Sequence, residues 1–125
     1  MAGKYLMDTN AVIDYLSNKL PANASDLLDL GELEISVITR IELLAWRNAD
    51  KQQLAVLEEF ISNVTVWNLD EPIILKGIEV RKVNKLKLPD AIIAATALVH
   101  NLDLVTRNID DFKNIDDIRL VNPWK

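Results

Sequence analysis

Short apolar runs separated by helix-spaced segments constrain this chain more than any other feature. Lys4–Met7, Leu33–Val37, Val64–Trp67, Leu102–Thr106 and Leu120–Val121 read as strands, each too short for a hairpin meander. Between them apolar residues recur at helical spacing. The predicted helices are Ala11 to Leu16, then a segment capped at Asn23 or Ser25 and stopped by Gly31, then one opened by Thr39 with Ile41, Leu44 and Ala45 as its stripe. Further helices are expected from Asp50 to Ile61, from Asp70 to Lys85, and from Pro89 to Val99, where Asn101 supplies a left-handed end. Strand–helix alternation of this kind predicts an α/β fold in three layers, a central and mainly parallel sheet with helices on both faces. A chain of 125 residues, half of them hydrophobic, has material for one core, so residues 1–125 are read as a single domain.

Composition narrows the chemistry. There is no cysteine and one histidine, His100, which removes disulfides, a thiol nucleophile and the usual Cys/His zinc cages. Any metal must therefore sit among oxygens. A formal net charge of −5 argues against holding nucleic acid by bulk electrostatics and leaves only local patches. The densest basic run is Lys76, Arg81, Lys82, Lys85 and Lys87, shortly before Asp90, read either as a guide for phosphates or as a solvated helix face. No apolar run is long enough to span a bilayer and the first residues lack a secretory signal, so a cytoplasmic protein with no membrane contact is expected. Trp46 and Trp67 are predicted to fill the core or a dimer contact, and Trp124 to anchor the C-terminal end. His100 is expected to donate to the carbonyls that end its helix.

Placed on this outline, several acids gather. Asp8 follows the first strand, and Glu42 falls in the first turn of the helix after the second. Asp90 begins the helix that leads into Leu102–Thr106, and Asn108 and Asp111 lie in the loop after that strand. In an open parallel sheet these positions share the carboxyl ends of the strands, where sites form. Two carboxylates about 4 Å apart repel by roughly 4 kcal/mol at an effective dielectric near 20, so convergence requires a cation or a bound proton. Oxygen ligands alone favour Mg²⁺ or Mn²⁺ over Zn²⁺, and the matching chemistry is phosphoryl transfer to water. Each residue taken singly also has a purely structural reading. Thr39-Arg40-Ile41-Glu42 spells a capping box, Asp90 beside Pro89 complements a helix dipole, Asp8 suits a turn or N-cap, and Asn108 and Asp111 suit a loop.

Four blocks in order carry more than any single acid: Leu6-Met7-Asp8-Thr9-Asn10, Thr39-Arg40-Ile41-Glu42-Leu43, Leu88-Pro89-Asp90 through Ala97, and Leu104-Val105-Thr106-Arg107-Asn108-Ile109-Asp110-Asp111-Phe112. Together they resemble PIN domains, and among these the VapC-type toxin ribonucleases of type II toxin–antitoxin systems. The resemblance implies that Asp8, Glu42, Asp90 and Asp111 are the catalytic acids and the ligands of Mg²⁺, with Mn²⁺ as an alternative. Where some relatives carry an acid this chain has Asn108, which points to Asp111 as the fourth carboxylate and leaves Asn108 as a neutral ligand or a donor behind the ligands. Thr9 and Thr106 would orient carboxylates or water, and Asn10 would cap the turn.

The resemblance further implies an endoribonuclease that hydrolyses RNA phosphodiesters with a Mg²⁺-activated water, a cognate antitoxin protein that blocks the site, and a homodimer. Arg40 and Arg107, each inside a block, would touch substrate or antitoxin. Other classes remain to be weighed against it. A catalytically silent PIN fold serving as a binding module is suggested by the acidic surface and by Asn108. A haloacid-dehalogenase-like phosphatase would want a second Asp where Asn10 stands. A response-regulator receiver would want paired acids there and a Lys where Thr106 and Arg107 are found.

Overall fold

The apolar run Lys4–Met7 forms the central strand, β1, of a five-stranded sheet in a computed structural model that describes residues 3–124. The elements that follow are α1 (Thr9–Leu16), α2 (Ala22–Leu30), β2 (Glu32–Ser36), α3 (Val37–Leu44), α4 (Lys51–Ser62), β3 (Thr65–Trp67), α5 (Glu71–Val83), α6 (Leu88–His100), β4 (Asp103–Val105), α7 (Ile109–Phe112) and β5 (Leu120–Val121). The strands lie in the order β3-β2-β1-β4-β5, and every neighbouring pair is parallel. The sheet expected to be mainly parallel is thus wholly so among the described residues. Leu6 stands opposite Glu34 on β2 and Leu104 on β4, which aligns the carboxyl ends of the three middle strands. The chain first builds outward from β1 to β3 and then returns to the other side of β1, so the β1/β4 boundary is the switch point where such folds open a crevice.

Alternation along the strands makes the three layers. Tyr5, Met7 and Ile35 pack on one face with Ala11 and Val12 of α1, Leu28 of α2 and Leu57 of α4. Leu6 and Leu104 pack on the other face with Val80 of α5, Ile93, Ala94 and Ala97 of α6, and Phe112 of α7. Leu6, Met7, Leu104 and Val105 are all 0% exposed, and at about 1.5–3 kcal/mol for each fully buried large side chain they stabilise the sheet centre. No helix among the described residues is long and apolar enough to cross a membrane.

Several boundaries differ from the sequence reading. The second helix begins at Ala22 behind Pro21 with no side-chain cap, so neither Asn23 nor Ser25 starts it. Gly31 does end it, but in extended backbone; a Cβ there would collide with the Tyr5 ring, and that close approach is what requires glycine. Asn101 ends α6 in the left-handed conformation, as expected. The third helix opens two residues early, at Val37, because the Ser36 hydroxyl accepts a hydrogen bond from the Ile38 amide (3.1 Å). Thr39 is therefore inside the helix, buried, its hydroxyl without a partner among the described residues, and the Thr39–Glu42 capping box does not form. Glu42 moves from the first helical turn to the second. A capping box is found instead at the start of α4, between Asp50 and Gln53.

His100 does not donate to helix-terminal carbonyls. Its ring stacks on Trp67 with centroids 3.5 Å apart, and its buried Nε2 has no partner among the described residues. Trp67 itself packs against the core on the α5–α6 side and donates from Nε1 to the buried Glu34 (2.6 Å). Trp124 packs on the opposite core and anchors the end of the described chain as expected, whereas Trp46 is 37% exposed and belongs to neither core.

Candidate active site

Asp8 is the last residue before α1 and serves as its N-cap, with one carboxylate oxygen accepting from the Thr9 amide (2.8 Å). Its other oxygen accepts from the Thr106 hydroxyl (2.8 Å), and its own amide donates to the carbonyl of Val105 (2.9 Å). The carboxylate is only 6% exposed and is fixed across the β1/β4 switch point by groups from both strands' ends. The Thr106 hydroxyl also accepts from the Asn108 amide (3.0 Å), so the turn after β4 is tied to the same hydroxyl that orients Asp8.

Glu42 reaches this place from α3. Its Oε1 accepts from the Thr9 hydroxyl (2.6 Å). Asp90 is in the first turn of α6, partly buried, and Asp111 is exposed on α7. The sequence reads α7 as loop, since four residues are too few to show a helical period, yet this turn fixes the direction in which Asp111 leaves the chain. Asn10 does not cap the turn, because Asp8 already does. It lies in α1, and its Oδ1 accepts from the Arg107 amide (3.3 Å), tying the first block to the fourth. Asn108 precedes α7 without a side-chain capping bond.

The four acids lie within reach of each other's charge. Burial pushes the Asp8 carboxyl up from its ordinary value of 3.8, and the charges of Glu42 and Asp111 push the same way, against the hydrogen bonds from Thr106 and Thr9. Burial likewise raises Asp90, helped by the charges of Asp8, Asp111 and Glu42 and opposed by Lys87. Among the described residues no three acids close directly around one point. An oxygen-only donor set in which the carboxyls of Asp8 and Asp90 are raised by burial and by neighbouring carboxylates nevertheless suits a hard divalent cation that keeps several of its waters and takes one or two carboxylates directly.

The arginines are placed differently. Arg40 is exposed on α3. Arg107 is bound to the carboxylate of Asp14, and its guanidinium carbon lies 4.6 Å from the centre of the Trp124 ring. Trp124 Nε1 donates to the same Asp14 carboxylate (2.9 Å). The sequence reading missed this latch, although its signal was present: Asp14 follows Ala11 at helical spacing, so a charged residue stands on the buried face of α1.

A PIN-domain family model matches residues 5–118. Over 124 residues the chain is 35% identical to Ribonuclease VapC19 of Mycobacterium tuberculosis, covering 91% of this chain and 96% of that protein. It is 31% identical over 127 residues to the tRNA(fMet)-specific endonuclease VapC of Salmonella typhimurium, covering 94% and 96% respectively. Among solved structures, VapBC-1 from nontypeable Haemophilus influenzae superposes with a TM-score of 0.83 at 26% identity, covering 98% of this chain and 99% of the other. A DNA-bound VapBC from Salmonella typhimurium gives a TM-score of 0.82 at 29% identity, with 95% and 97% covered. The family model, the two ribonuclease relatives and the order of the acids on the sheet agree: this chain belongs to the PIN-domain family, among the VapC ribonucleases.

Proposed function

We propose that the protein is a metal-dependent endoribonuclease that acts as the toxin of a toxin–antitoxin pair, with Asp8, Glu42, Asp90 and Asp111 as its acidic centre. The observation that carries this reading is the set of four acids on the segment that follows β1 and on α3, α6 and α7, at the carboxyl ends of the strands, where burial raises the pKa of Asp8 and Asp90 and the neighbouring carboxylates add to the rise. Asp8, Asp90 and Asp111 would hold Mg²⁺ or Mn²⁺, with Glu42 completing the set. The ion, when bound, offsets charge on the phosphate and makes water a competent nucleophile near neutral pH.

The chain's own residues do the positioning. The Thr106 hydroxyl and the Thr9 amide hold the two oxygens of Asp8 in fixed directions. The Thr9 hydroxyl occupies Oε1 of Glu42 and leaves Oε2 available to accept a proton from the attacking water. The names of the relatives, ribonuclease and endonuclease, support RNA as the substrate class, and solved toxin–antitoxin complexes among the structural neighbours support a protein antitoxin. Apolar surface offers such proteins a place: a groove along α1 and α4 lined by Leu16 and Val56, and Leu75 and Ile78 exposed on α5. A homodimer is part of the same proposal.

The test is cleavage of a structured RNA pool by purified protein with Mg²⁺, with Mn²⁺ and with chelator. Cutting that needs the cation is the expected result. No cutting with either metal would favour the catalytically silent binding module.

A further inference from the structure

In a chain of net charge −5, Arg81, Lys82, Lys85 and Lys87 fall within a stretch that contains no acid from residue 80 to residue 89. Arg81 and Lys82 end α5, while Lys85 and Lys87 lie beyond it in the connection to α6. That connection is held in place: Arg81 Nε donates to the carbonyl of Leu86, the residue between the two lysines (3.3 Å). Lys85 and Lys87 line a cavity of about 330 Å³ together with Asn84, Asp90, Asp111 and Asn114. Two of the site's acids are therefore also walls of a cavity lined by two lysines.

The charges in this cavity are unevenly matched. Among the described residues neither Lys85 nor Lys87 is in an ion pair, and both are exposed. Asp110, on the same cavity, is already paired with Lys113 (3.1 Å). The positive charge of Lys87 nevertheless reaches Asp90 and works against the other acids there. A polyanion approaching four carboxylates is repelled unless compensating cations meet it nearby, and contacts of this kind position a nucleic-acid strand without reading its sequence.

We propose that this cavity is a backbone-phosphate subsite, in which Lys85 and Lys87 hold a phosphate of the RNA strand next to the phosphodiester that faces Asp8, Asp90 and Asp111. The subsite rests on the nuclease reading above and adds to it the side of the acid centre along which the strand runs. A solvated helix face, the alternative from sequence, fits Lys82 but not two residues beyond the helix end that share a cavity with the acids.

The experiment compares wild type, the double variant Lys85→Gln/Lys87→Gln, its conservative counterpart Lys85→Arg/Lys87→Arg, and a charge-matched control, Lys19→Gln/Lys51→Gln, all checked for folding by circular dichroism. Binding of a labelled randomised single-stranded RNA pool is measured in chelator across a salt series, and cleavage of that pool is measured with Mg²⁺. The glutamine variant is expected to raise Kd and KM about tenfold with kcat nearly unchanged. Its plot of log affinity against log salt should be shallower by about 0.7 for each phosphate that is no longer neutralised. The arginine variant should restore both, and the control should behave as wild type. Equal weakening in the control, or a glutamine variant with wild-type Kd and salt slope, would overturn the subsite while leaving a cleaving wild type as a nuclease. A shift confined to the pH or Mg²⁺ dependence would overturn it as well, because Lys87 would then act only on Asp90. If wild type neither binds nor cuts the pool, the nuclease reading fails and the subsite falls with it.

Discussion

Asp8 caps α1 and Asp14 lies within it, at nearly equal burial, 6% and 7% exposed, yet their surroundings are opposite. Asp14 meets the Arg107 guanidinium and the Trp124 indole N–H, so its charge is matched by a cation and a donor. Asp8 meets a hydroxyl and an amide, and burial raises its pKa with the charges of Glu42 and Asp111 adding to the rise. Burial alone therefore does not mark the functional acid. The distinguishing feature is a buried carboxylate supplied with orienting donors but no counter-charge, a cost to the free protein that a bound cation removes.

The contrast can be broken by substitution. The largest expected effect is on the unmatched side: Asp90→Asn should lower the rate of RNA cleavage by about a thousandfold with the fold intact, read by single-turnover kinetics beside circular dichroism. On the matched side, Arg107→Met leaves Asp14 buried without its cation and should cost about 2 kcal/mol of stability in thermal unfolding, with cleavage kept at temperatures where the protein is folded. Loss of cleavage without loss of stability would instead place Arg107 on the substrate.

Thr106→Val removes the hydroxyl shared by Asp8 and the Asn108 amide at nearly constant volume. Cleavage should fall by about 10- to 100-fold, a loss typical of residues that orient ligands from behind. The smallest effect is a gain. Because the folded-state pKa of Asp90 is raised, folded protein holds more protons than unfolded chain just above the ordinary value of 3.8. The contribution of Asp90 to the stability of metal-free protein is therefore fullest below that value and is lost as pH rises through the raised pKa. Asp90→Asn removes this contribution, so in chelator its Tm should exceed that of wild type at neutral pH, with the difference closing below about pH 4.

Much of this contrast was legible in the sequence because it depends on local order. Asp8 after a four-residue strand and Asp90 after Pro89 in an apolar helix needed only strand and helix periods to be placed, and Asn101 marked its own helix end. Thr39 and Glu42 misled because Ser36 and Thr39 are both good caps. Ser36 takes the cap through the Ile38 amide, while Thr39 is fully buried and Glu42 is held by Thr9 from another element. The Asp14 latch joins residues 93 and 110 positions apart, and the His100–Trp67 stack joins α6 to β3, so neither leaves a local period to read. Only the polar residue at a buried helical position hinted at the first.

The most direct test sets the two aspartates side by side. Asp8→Asn and Asp14→Asn are assayed for Mg²⁺-dependent RNA cleavage and for thermal stability with and without Mg²⁺. Asp8→Asn is expected to fold, to lose cleavage and to lose the Tm increase that Mg²⁺ gives wild type, while Asp14→Asn unfolds earlier but still cuts and still responds to Mg²⁺. Cleavage and a Mg²⁺ response at wild-type levels in folded Asp8→Asn would contradict the assignment of the acidic centre.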